Sequence, residues 1–107
     1  HIYSTLYTLL TAICPIHRNG DPRNCGAVTT VLNQTSVKAN GQLVAVEATT
    51  NSHGNGGLIA DCKQVFVEGK LVVNHTPDNA VPDNICPIPP HCNPQTAGGS
   101  PNVFVAD

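Results

Sequence analysis

The stretch Val37-Lys38-Ala39-Asn40-Gly41-Gln42-Leu43-Val44-Ala45 decides the fold, because it returns without a gap as Val65-Phe66-Val67-Glu68-Gly69-Lys70-Leu71-Val72-Val73. Val37 to Ala39 reads as a strand, Asn40-Gly41 as a two-residue turn, and Gln42 to Val46 as the return. Asn-Gly is the strongest short hairpin signal, since both central residues of a type I′ turn need φ > 0. Glu68-Gly69 meets that need less well, so a looser second turn is expected. The shift that carries Val37 onto Val65 also lays Cys25-Gly26 on His53-Gly54. A partial third copy, Gly99 to Asp107, offers one strand where the others have a hairpin. Cys25, His53 and His91 each stand twelve residues before Val37, Val65 and Val103.

Composition agrees with an all-β fold. The 107 residues allow one domain, rich in Val, Thr and Asn, with 9 Gly and 9 Pro. Glu occurs twice and Met never, so good helix formers are scarce. Charged residues make up 11%, and a net charge of −2 excludes a phosphate-tracking basic surface. No apolar run reaches the roughly 20 residues of a bilayer-spanning helix. Two Phe, two Tyr and no Trp make a thin core, which calls for a staple: a disulfide, a metal or a partner chain. An odd count of 5 Cys leaves a thiol over if disulfides alone serve.

Two domain-level parts are expected: an apolar segment, residues 1–13, packing on the domain or docking on a partner, and a repeat domain over residues 14–107. The first resembles a signal-peptide core but has neither a basic leader nor a small-residue cleavage pattern. A proline-rich insertion, residues 77–90, reads as a surface loop. Ile13-Cys14-Pro15-Ile16 recurs as Ile85-Cys86-Pro87-Ile88, suggesting a second echo.

Short hairpin copies cannot each bury a core, so they must share one around a common axis. Equivalent residues then meet near that axis. Cys25, His53 and His91 are all borderline-soft metal ligands, and three symmetry-related donors make three corners of a tetrahedron. His17 is the preferred fourth, with Cys14, Cys92 and His1 as competitors. One Cys with three His suits a closed zinc site, zinc being preferred to iron. Taken singly, a glycine-flanked His such as His53 is an ordinary loop residue; the shared offset is what raises it to a ligand. His75 reads as a surface residue and Cys62 as a free thiol.

Ser52-His53-Gly54-Asn55-Gly56-Gly57-Leu58-Ile59 with Val65 to Lys70, Cys25-Gly26 leading to Gly41, Gly99 to Val105, and the Cys-Pro-Ile-His stretch ending at His17 together resemble the PAAR-repeat signature. The resemblance covers about residues 14–107. It implies a cone of β-hairpins related by a pseudo-threefold axis, with a zinc near the tip held by three His and one Cys. It further implies a sharp cap on the trimeric β-helical spike of a type VI secretion system or contractile phage tail, used to pierce a membrane. Such a cap is no enzyme. It is assembled in the bacterial cytoplasm and found at the virion tail tip or secreted with the injection apparatus, with a possible effector and a transient host envelope as further partners. The Pro-Ala-Ala-Arg stretch that names the family is absent, with Leu43 to Val46 and Leu71 to Asn74 in its place.

Two other readings compete. A zinc-dependent hydrolase needs an open coordination position and a general base, and only Asp21 and Asp61 lie near in sequence. A small disulfide-stapled extracellular binding module would pair Cys86 with Cys92 or Cys14 with Cys25, and has sequons at Asn33 and Asn74. Five free thiols after denaturation favour the metal; one favours disulfides.

Overall fold

A computed structural model describes residues 2–3, 13–60, 65–75 and 78–106. The described residues form no helix, only short antiparallel strands: β1 (Ile2–Tyr3), β2 (Ile13–Pro15), β3 (Thr29–Thr30), β4 (Lys38–Ala39), β5 (Gln42–Leu43), β6 (Thr50–Asn51), β7 (Phe66–Val67), β8 (Lys70–Leu71) and β9 (Phe104–Ala106). The all-β class expected from composition is what the chain adopts.

The repeated stretch makes two like hairpins. Lys38 pairs with Leu43 across β4 and β5, and Phe66 with Leu71 across β7 and β8. Both turns take positive φ at both central residues: 56° and 81° at Asn40-Gly41, 52° and 79° at Glu68-Gly69. The looser turn expected at Glu68 is not seen. Its carboxylate accepts hydrogen bonds from the Thr35 N–H and the Ser36 hydroxyl of the preceding copy. The Ser36 hydroxyl, with the Thr35 amide, holds that carboxyl below its usual range.

The third hairpin is built from two distant parts of the chain. Strand β9 pairs with β2, Pro15 opposite Phe104, and β1 lies on the other side of β9 in the order β1-β9-β2. Part of the segment expected to pack or dock thus pairs as strands; residues 4–12 lie outside the described residues. The single strand of the third copy is completed by Pro15, which stands one repeat length before Leu43 and two before Leu71.

Around these hairpins the backbone closes a ring. The His17 N–H donates to Val73 O, the Val73 N–H to Ala45 O, and the Ala45 N–H to His17 O, at 3.1, 3.0 and 2.9 Å. A second set repeats the pattern at 2.8 Å each: Asn19 to Leu43, Glu47 to Leu71, and His75 to Pro15. Ile16 bridges Asn74, Val44 bridges Arg18, and Val72 bridges Val46. Each position recurs at the offset that separates Val37 from Val65, and the pairing returns to its start after three copies.

The side chains follow the same rule. Ile16, Val44 and Val72 form one buried cluster with Ala39, Val46 and Val67. A second holds Ala45, Val73, Val31, Leu58, Ala60 and Ala80. Polar side chains tie the first and third copies to their hairpins: Gln34 Oε1 accepts the Val37 N–H and Ser100 Oγ the equivalent Val103 N–H.

His17 occupies the ring position where the other copies have Ala45 and Val73, and it is fully buried. Its Nδ1 lies 2.7 Å from the Gly98 carbonyl, so that nitrogen carries the proton. Nε2 then accepts from the Thr29 hydroxyl at 2.5 Å. Burial pushes the imidazole down to about 4. The unfolded chain, near 6.5, therefore takes up this proton first, and stability falls as pH drops from about 6.5 towards 4, by about 3 kcal/mol at most. Denaturant unfolding of the native chain is expected to weaken across that window, and His17→Val to lose much of the slope. Equal slopes in the two proteins would reject the assignment.

Candidate metal centre

Cys25, His53 and His91 come together, one from each copy, and the fourth member of the group is Asp83. Their ligand atoms all lie within 4.8 Å of one another. Cys25 Sγ is 3.8 Å from His53 Nδ1 and 3.6 Å from Asp83 Oδ2. Asp83 Oδ2 is 3.3 Å from His53 Nδ1 and 3.2 Å from His91 Nδ1.

These separations fit the edges of a small tetrahedron. Zinc bonds of about 2.0 to 2.3 Å put nitrogen and oxygen ligands roughly 3.3 Å apart and sulfur roughly 3.6 Å from either. Charge-assisted hydrogen bonds between the same groups would be shorter, about 2.7 to 2.9 Å. Four of the six separations thus fit the edges of a tetrahedron around an ion, the group as a whole spanning up to 4.8 Å.

Local sequence explains each placement. The His53 N–H donates to Asn51 Oδ1, which fixes the loop that carries the ring. Asp83 is reached from the opposite side, where its chain segment pairs antiparallel with the second copy at Asn55 and Leu58. Its Oδ1 accepts the Ile85 N–H at 2.9 Å, leaving Oδ2 to face the group and receive Asn51 Nδ2 at 3.2 Å. Burial opposes its charge, but the Ile85 amide, His91, Asn51 and His53 outweigh that and hold the carboxyl well below the usual carboxylate range. An ionised carboxylate is the form in which such a group can serve a cation.

Gly56 lets the two loops approach. A Cβ there would sit 2.6 Å from Asn51 Nδ2 and 3.3 Å from Asp83 Cβ, and its φ is 74°. Gly56→Ala is expected to cost about 1 to 2 kcal/mol in backbone strain alone. It is also expected to loosen metal retention by displacing Asn51; dialysis followed by metal analysis, beside a melting curve, checks both effects.

Below the group lies Arg23, 2% exposed. Its Nε donates to Thr29 Oγ1, Nη1 to Gly56 O and Pro94 O, and Nη2 to Thr49 O and Thr50 O. One side chain thus ties all three copies together and shares the Thr29 hydroxyl with His17. Burial lowers its pKa to about 10, still leaving it charged at neutral pH.

The sequence expectations need three corrections. His17 stands outside the four-residue group, with its ring nitrogens engaged by Gly98 and Thr29. The proline-rich insertion is not simply a surface loop, since Asp78, Ala80 and Asp83 are buried within it. The Ile-Cys-Pro-Ile echo has no structural counterpart: Ile16 is in the core, whereas Ile88 is 60% exposed. Cys92, one competitor for the fourth position, is bonded to Cys86 instead. The His1 and Cys14 side chains and the whole of Cys62 lie outside the described residues. His75 is half-buried and hydrogen-bonded to Thr96 rather than a plain surface residue. Of the acids considered for hydrolysis, Asp21 is engaged by Arg18 and Asp61 lies outside the described residues.

Comparison of the chain with protein-family profiles, curated proteins and solved structures gives no match. The reading of this centre therefore rests on its chemistry and on the repeat that builds it.

Proposed function

We propose that the chain is a metal-stapled cap of the PAAR-repeat kind, closing the end of a threefold-symmetric β-helical spike in a contractile injection machine. The observation that carries this is the convergence of Cys25, His53 and His91 from successive copies of one module, joined by Asp83. Four protein ligands fill a tetrahedral ion, which suits a structural zinc and leaves no open position for a substrate or water. Catalysis has no part in this reading.

The ring of backbone bonds supports the rest of the proposal. A chain whose three copies pair cyclically presents like edges to each subunit of a trimer. The exposed Phe66 and the equivalent Lys38 lie on the hairpins that such a trimer would extend. In this arrangement the zinc sits at the apex, where packing atoms are fewest, and the cap pierces an envelope without doing chemistry.

Native mass spectrometry with a trimeric β-helical spike protein from the same source tests the proposal. One chain per trimer is expected. Three chains per trimer, or none, would overturn it. The Cys86–Cys92 disulfide favours a second reading, a secreted binding module stapled by that bond. Chelation separates the two: the cap loses its fold with its metal, whereas the module keeps its melting temperature.

A further inference from the structure

The bond between Cys86 and Cys92 adjoins two members of the group along the chain, and its position points to control of the metal. Cys92 follows His91 directly, and Cys86 comes three residues after Asp83. Asp83 therefore stands just before the bridged loop, and His91 lies within it, next to the closing cysteine. Their backbones are joined as well: the Asp83 N–H donates to His91 O at 2.9 Å, and the Cys86 N–H to Asp83 O at 3.3 Å. The step from His53 to His91 is ten residues longer than that from Cys25 to His53, so the third copy carries extra chain between its ligands. The disulfide closes that extra chain. Cys92 is exposed and Cys86 half-exposed, so a small reductant can reach them.

We propose that the Cys86–Cys92 disulfide is a redox latch on metal affinity, holding Asp83 and His91 in ligating position when formed and releasing them when reduced. The inference rests on the metal reading of the four-residue group. A dithiol supplies two electrons and two protons; the sulfur–sulfur bond breaks, Cys86 and Cys92 become thiols, and the dithiol becomes its own disulfide. The freed loop must then be ordered by the ion itself. Loop-closure entropy for a bridge spanning six residues corresponds to a loss of between about tenfold and hundredfold in affinity.

Zinc affinity of the full chain, measured by competition with a chromophoric chelator, tests this with and without a phosphine reductant, which takes up oxygen from water as it yields the same two thiols. The oxidised chain is expected to hold zinc about tenfold to hundredfold more tightly, and Cys86→Ser/Cys92→Ser to match the reduced chain and ignore the phosphine. Equal affinity in both states, or tighter binding after reduction, would overturn the latch. Should reduction unfold the chain, recovery of the fold at saturating zinc supports the latch and failure to recover refutes it. An oxidised chain that binds no zinc at all would instead remove the metal reading.

Discussion

Asp83→Asn and His53→Ala are expected to take the metal content from about one ion per chain to near zero and to lower the melting temperature sharply. Each removes one of the four converging side chains proposed to hold the ion, and structural zinc sites couple metal affinity directly to folding. Even a site only a hundredfold oversaturated with free zinc contributes about 2.7 kcal/mol, a large share of the stability of a small domain. Asp83→Asn is the sharper test. Its amide oxygen can still accept the Ile85 N–H, so the loop is retained while the charge facing the ion is lost. His17→Gln serves as the contrast: it disturbs the core but leaves the ion in place. Cobalt substitution adds a spectroscopic check, since the thiolate-to-metal band should vanish in Cys25→Ser. Full metal content with unchanged melting in Asp83→Asn would remove Asp83 from the ligand set.

The second large effect is expected from Arg23→Met. Five N–H groups of Arg23 serve the Thr29 hydroxyl and four carbonyls at the centre of the protein. Methionine fills much of the same volume and satisfies none of them. Thr49 O and Thr50 O keep the Leu58 N–H and the Thr30 hydroxyl, but Gly56 O and Pro94 O are left without a donor among the described residues; at about 1 to 3 kcal/mol for each, a total of about 3 to 5 kcal/mol is expected. Arg23→Lys should fall between, because an ammonium has three donors and cannot reproduce the planar fork. Urea unfolding at neutral pH measures both. A loss below about 1 kcal/mol in Arg23→Met would show that water replaces the guanidinium without penalty.

How far the sequence could be read depends on which features repeat. Asn40-Gly41 and Glu68-Gly69 lie one period apart, and that spacing announced the hairpins and three of the four clustered residues. Asp83 has no such partner, since it lies in the proline-rich insertion, outside the repeat register. A search by offset passes over it. One signal did exist: Asp83 is the sole residue of formal charge between Val81 and Ala97, an odd place for an acid unless it is buried with a purpose. His17 misled for a related reason. Its distance from Cys25 suited a ligand, but its alignment with Ala45 and Val73 marked a core position, and the core claimed it. The Ile-Cys-Pro-Ile echo shows that identity of letters without the surrounding period carries little structural meaning. The completion of the third hairpin by β2 was legible only through the Pro15, Leu43 and Leu71 series, which runs outside the copies as first divided.

That shared third hairpin has a consequence for how the molecule is made. Strand β9 supplies the seam that closes the circuit, and it lies far along the chain from its partner β2. The first two hairpins can form early from neighbouring residues, whereas the circuit stays open until residues 104–106 meet 13–15. Removing residues 104–106 would leave an unclasped strip instead of a closed circuit.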